Sequence, residues 1–98
     1  MRRDKIIEVL KRNEAAIRAL GVGALYLYGS HARDEAQSDS DVDVFFDKNP
    51  DQKLSLFELI DLQFMLKDIL GTKVDVGTRS SLHPVLKAEI ERSAVQVF

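Results

Sequence analysis

In Ser40-Asp41-Val42-Asp43-Val44-Phe45-Phe46, two carboxylates are set among bulky apolar residues, and this pattern constrains the fold more than any other stretch of the chain. β-Branched and aromatic residues favour a strand, and side chains two apart in a strand project from the same face, so Asp41 and Asp43 are predicted to stand together. Like charges on one face repel, and Asp is a poor strand former, so the pair calls for a compensating cation. Paired hard oxygen ligands suit Mg²⁺, which takes one or two carboxylates and leaves its other positions to water and substrate phosphates. Asp39-Ser40-Asp41 is a second D-x-D, but Val42, Val44, Phe45 and Phe46 centre the strand on Asp41 and Asp43 and leave Asp39 in a loop.

The neighbouring segments frame this strand. Ile6, Leu10, Ile17 and Leu20 recur at helical spacing between Asp4 and Gly21, predicting an amphipathic helix over 4–20. Val22–Tyr28 is a short apolar run rich in β-formers and reads as a buried strand ended by Gly29. Ser30 then caps a short helical turn to about Ala36, and residues 47–51 close the Asp-bearing strand as a loop. Leu54–Leu70 is predicted as a long helix stopped by Gly71. Its apolar residues exceed one stripe, and in so short a chain the surplus Phe57, Phe64 and Met65 is expected in the core, with a partner surface as the alternative. Thr72–Gly77 reads as a third strand, His83-Pro84 opens a last helix to about Ser93 with His83 structural, and residues 95–98 form a terminal strand.

The length of 98 residues fits one domain, residues 1–98, of α/β class: a small mixed sheet of three or four strands packed with helices. With 14 Lys plus Arg against 16 Asp plus Glu, the net charge of −2 offers no excess of positive charge for phosphate backbones, so nucleic acid is not an expected partner. Cys is absent, which excludes disulfides and thiolate metal sites. No apolar run has the ~18 residues of a membrane span, and the charged residues Glu8, Lys11 and Arg12 interrupt any signal-peptide core, so a soluble cytoplasmic protein is expected.

Upstream of the carboxylate pair, Gly29 lets the backbone approach a ligand closely, while Ser30 offers a hydroxyl and the first N–H groups of a helical turn, which favour an anion. A phosphate cradle beside a carboxylate-bound metal describes a nucleoside triphosphate site. Asp75, in Val74-Asp75-Val76, points away from its apolar neighbours and so toward the same cleft. Arg33 fits equally a phosphate ligand and a helix-end ion pair. His31 suits a surface position or a hydrogen bond to phosphate, with an acid–base role as the alternative.

The stretch GSHARDEAQSDSDVDV followed by KVDV resembles the G-S…D-x-D motif and third Asp of the minimal nucleotidyltransferases of the DNA polymerase β superfamily. The element order matches along nearly the whole chain, and the absence of further domains resembles the family's stand-alone antitoxin type. The resemblance implies the polymerase β-like nucleotidyltransferase fold. It also implies transfer of AMP from ATP to a tyrosine hydroxyl of a HEPN-domain ribonuclease toxin, encoded beside the antitoxin and bound to it as a hetero-oligomer. Carried over residue by residue, Gly29 and Ser30 hold the triphosphate, with Arg33 as a further nucleotide contact. Asp41, Asp43 and Asp75 are then the catalytic carboxylates and the ligands of two Mg²⁺ ions. His31 and Asp34 stand where the family often has Arg and Gly. Two alternatives accompany this reading: an antitoxin that acts by occlusion without catalysis, and nucleotidyl transfer to a small molecule.

Overall fold

The computed structural model describes residues 2–32 and 41–98. Eight regular elements follow in the order α1 (Arg3–Arg12), α2 (Glu14–Ala19), β1 (Val22–Tyr28), β2 (Val42–Lys48), α3 (Leu56–Leu70), β3 (Val74–Thr78), α4 (Lys87–Ser93) and β4 (Val95–Gln96), with a 3₁₀ turn at Arg79–Ser81. The strands form one mixed sheet in the order β3-β2-β1-β4, so the sequence-derived α/β class holds at the upper strand count. β1 is antiparallel to β2 and β4, whereas β2 and β3 are parallel. A parallel pair needs a crossover, and α3 supplies it.

Alternation along the strands assigns the two faces of the sheet. Leu25, Leu27, Val42, Val44, Phe46 and Val74 are buried on one face against Ile6, Leu10 and Ile17 of α1 and α2 and Leu62, Leu66 and Leu70 of α3. α3 starts at Leu56 because Ser55 caps it: the Glu58 carboxylate accepts the Ser55 N–H at 3.1 Å. It stops at Gly71, whose φ of 68° is left-handed and whose N–H bonds the Lys67 carbonyl at 2.8 Å.

On the other face, the end of β2 is closed by Arg79. Its guanidinium donates to both Asp47 carboxylate oxygens at 2.8 and 2.9 Å and to Glu91 of α4 at 2.7 Å, and it lies 4.9 Å from the Tyr26 ring centre and 5.1 Å from that of Phe45. Tyr26 and Phe45 stack at 4.8 Å, and Phe45 is only 1% exposed. The guanidinium hydrogen bonds hold the Asp47 carboxyl below its usual range. Arg79→Ala is expected to cost about 1–2 kcal/mol after allowing for solvent screening of a part-exposed pair, with Arg79→Lys recovering only part because it loses the planar fork. Urea midpoints of the two variants check this.

Several boundaries differ from the sequence reading. The predicted helix 4–20 breaks at Asn13, where the side-chain amide bonds the Val9 carbonyl at 2.8 Å and the backbone N–H turns to Leu10 instead, at 3.1 Å. β2 runs on through Asp47 and Lys48, expected in a loop, because Asp47 pairs with Ala24 and is clamped by Arg79. The last helix begins at Lys87; His83 stays in the preceding turn, its ring nitrogen accepting the Val85 N–H at 3.2 Å, a structural role as expected. The surplus apolar residues of α3 are not core. Phe57 is 78% and Phe64 62% exposed, and only Met65 packs partly against the interior. The Leu62, Leu66, Leu70 stripe already fills the sheet-facing side of the helix.

Candidate active site

The open end of the second sheet face carries a row of three polar side chains. Tyr28 on β1 is the register partner of Asp43 on β2, and Asp43 is the register partner of Asp75 on β3, so the three stand side by side on one face across three strands. Asp41 lies two residues before Asp43, just ahead of β2, with its carboxylate 3.7 Å from the Lys73 ammonium. The parity read from sequence therefore brings Asp41, Asp43 and Asp75 to one end of one face.

The Gly29-Ser30 turn abuts this row. Gly29 has φ +77°, and a Cβ built there would lie 2.5 Å from Asp43 Oδ2. Only glycine combines that backbone angle with that approach, so turn and carboxylate are in van der Waals contact. Two bonds fix the turn. The His31 Nδ1–H donates to the Asp41 carbonyl at 3.1 Å, since a carbonyl can only accept, and Arg3 donates to the Ala32 carbonyl at 3.0 Å. His31 is 3% exposed, which corrects its expected position at the surface: its Nδ1 pins the turn to the start of β2. Ser30 is half-buried in the turn. Arg33, Asp34, Asp39 and the remainder of the expected helical turn lie outside the described residues.

Among the described residues the row is acidic, with Lys73 as the cation beside Asp41. Burial, then Asp75, then Asp41 push the Asp43 carboxyl above its usual range, with His31 opposing. Burial, then Asp43 and Asp75, push the Tyr28 phenol up likewise. Among the described residues, no three His, Cys, Asp or Glu side chains are gathered into a ready-made metal cage. A ready-made cage suits a resident structural ion. A pair of carboxylates beside a glycine turn suits Mg²⁺, which brings its own water and phosphate ligands. Tyr28, His31 as a pin, and Lys73 were missed as parts of the site. Tyr28 shares strand parity with Tyr26, and Lys73 precedes Asp75 by two residues, but neither betrays its cross-strand neighbour without a register.

The nucleotidyltransferase domain family model matches residues 3–97. The chain belongs to that family. This nucleotidyltransferase is 33% identical over 95 residues to the protein adenylyltransferase MntA of Thermococcus cleftensis, covering 96% of this chain and 94% of that protein. A solved structure of a candidate minimal nucleotidyltransferase superposes with a TM-score of 0.82 at 25% identity, covering 97% of this chain and 95% of the other. An MNT antitoxin in complex with a tri-AMPylated HEPN toxin from Shewanella oneidensis shares the fold, with a TM-score of 0.58 at 21% identity over 90% of this chain and 71% of that one. The minimal nucleotidyltransferase fold expected from the G-S…D-x-D motif is thus the observed one, and the chain is an enzyme of the nucleotidyltransferase class.

Proposed function

We propose that this single-domain nucleotidyltransferase is a cytoplasmic antitoxin that transfers AMP from ATP to a tyrosine hydroxyl of a HEPN-domain toxin and so neutralises it. The observation that carries the reading is the contact between the Gly29 turn and Asp43, which sets an anion-binding backbone against a carboxylate row that needs a cation. The relative named protein adenylyltransferase and the fold relative bound to an AMPylated toxin support the protein acceptor. In this reading Asp41 and Asp43 hold Mg²⁺, with Asp75 completing a second site, while Gly29, Ser30 and Arg33 hold the triphosphate. Bound there, Mg²⁺ supplies positive charge to the phosphate oxygens and lowers the pKa of the acceptor hydroxyl. The acceptor oxygen attacks the α-phosphorus, the bond to the bridging oxygen breaks, pyrophosphate leaves, and Asp75 receives the phenolic proton.

Separately labelled ATP tests the reaction type. Label at the α-phosphate is expected to appear on the HEPN protein and label at the γ-phosphate in pyrophosphate; γ-label on the protein would mean phosphorylation and contradict the proposal. Asp75 stands on a different strand from the pair, so Asp75→Asn is expected to keep ATP affinity within a few-fold and to lose transfer by on the order of 10², the scale of a positioned base. Calorimetry of ATP with Mg²⁺, run beside the transfer rate, checks this. Joint loss of binding would make Asp75 a ligand of the nucleotide-bound metal instead.

A further inference from the structure

Phe57, Ile60 and Phe64 follow one another along α3 at spacings of three and four residues, and all three are exposed. That is the knob spacing with which one helix packs against another, yet among the described residues no element covers it: the face lies opposite the Leu62, Leu66, Leu70 stripe that meets the sheet. On its β3 side the face slopes into a groove of about 370 Å³, with Lys67 on the helix wall and Lys73 and Val74 on the strand wall.

The groove leads to the candidate active site. β3 is an edge strand, so nothing in the sheet separates the groove from Asp75, the residue after Val74, and Lys73 links it to Asp41 at 3.7 Å. Among the described residues, the Gly29-Ser30 turn bounds the row on the β1 side and the Arg79 clamp with α4 closes the far end of β2. The β3 edge is thus an open route for an acceptor hydroxyl to Asp43 and Asp75, and a body that crosses it comes to rest on the exposed face of α3.

We propose that the exposed Phe57, Ile60, Phe64 face of α3 and the lysine-lined groove beside it dock the acceptor protein of AMP transfer through an amphipathic helix whose site-facing flank is acidic. Charge specifies the orientation. Lys67 and Lys73 flank the apolar face on the side of the site, while Asp61 and Asp68 flank it on the other, so only one direction of a helix with one acidic and one basic flank satisfies both. The proposal rests on the protein-acceptor reading above, and the two fail separately.

The test uses the purified HEPN-domain protein encoded with this chain as the probe. Its affinity for the parent, Phe57→Ser/Phe64→Ser and Lys67→Glu is measured by calorimetry, and transfer kinetics are measured beside it. The double variant is expected to bind the HEPN protein at least ~10-fold more weakly, as loss of two aromatic anchors implies, and to raise the KM for it while kcat and ATP affinity hold. Lys67→Glu is expected to weaken binding with a reduced salt dependence. Both aromatic rings are largely exposed, so the fold should survive, as circular dichroism and an unchanged ATP affinity would report. Unchanged affinity for the HEPN protein in the double variant overturns the proposal. So does a parent chain that dimerises alone in sedimentation equilibrium and becomes monomeric in the double variant, because the occupant is then a second copy. A parent that binds the HEPN protein through this face but transfers no AMP leaves the docking face standing and removes the transferase reading.

Discussion

Asp43→Asn is expected to reduce AMP transfer by at least ~10³ while making the metal-free chain slightly more stable. The catalytic loss follows from its position: Asp43 is the central member of the row, neighbour to Asp75 and Tyr28, and it touches the Gly29 turn, so its charge faces both the proposed ions and the triphosphate. The gain in stability follows from the raised carboxyl. In the folded chain Asp43 binds its proton more tightly than at its unfolded value of 3.8. As pH rises from that value through the folded one, the folded state therefore holds more protons than the unfolded state, and stability falls. The cost is complete above the folded pKa, so at neutral pH the parent carries it and the Asn variant does not. Because the group is only partly buried, screening limits the effect to on the order of 1 kcal/mol or less. Thermal melts in chelator across that window, beside transfer assays at neutral pH, check both halves. Metal affinity should weaken in the same window as pH falls and Asp43 takes up its proton.

Gly29→Ala is expected to remove transfer by about 10² or more with the sheet still formed. A side chain at φ +77° costs roughly 1–2 kcal/mol in backbone conformation. The new Cβ would also sit 2.5 Å from Asp43 Oδ2, so turn or carboxylate must move. Relaxation in either direction separates the proposed anion-binding backbone from the proposed metal ligand, and small misplacements of reacting groups are costly in rate. Gly71→Ala is the matched control: it too has positive φ, at 68°, but a Cβ there meets nothing within 4 Å. It should lose comparable stability and keep its activity. Equal loss of transfer in both variants would show that strain alone, not the contact with Asp43, accounts for the effect.

The face of the sheet bearing the candidate site was legible in the sequence because strand parity is strict. Asp41, Asp43 and Asp75 alternate with valines that must be buried, and this alone aims all three carboxylates the same way. What parity cannot give is register. That Asp43 lies opposite Asp75 on one side and Tyr28 on the other depends on how far each strand slides, so Tyr28 was invisible as a neighbour. The Arg79 clamp was missed for a related reason: its partners Asp47 and Glu91 are 32 and 12 residues away, and a lone surface arginine predicts no partner. His31 was misjudged because residue type favours exposure, whereas the turn bends its ring beneath the start of β2. The helix break at Asn13 shows a local hydrogen bond overriding a continuous apolar period. The opposite error occurred on α3, where the general pressure on a small chain to bury its aromatics yielded to the limited width of a four-stranded sheet.

The central claim, metal-dependent transfer of AMP to a protein hydroxyl, is tested most directly by the intact mass of the HEPN-domain protein after incubation with this chain and ATP. With Mg²⁺ present, the mass should rise by whole AMP groups, and fragmentation should place them on tyrosine. No gain is expected with excess chelator or with Asp41→Asn or Asp43→Asn. An unmodified partner in the complete mixture, or full modification in chelator or by both variants, would contradict it.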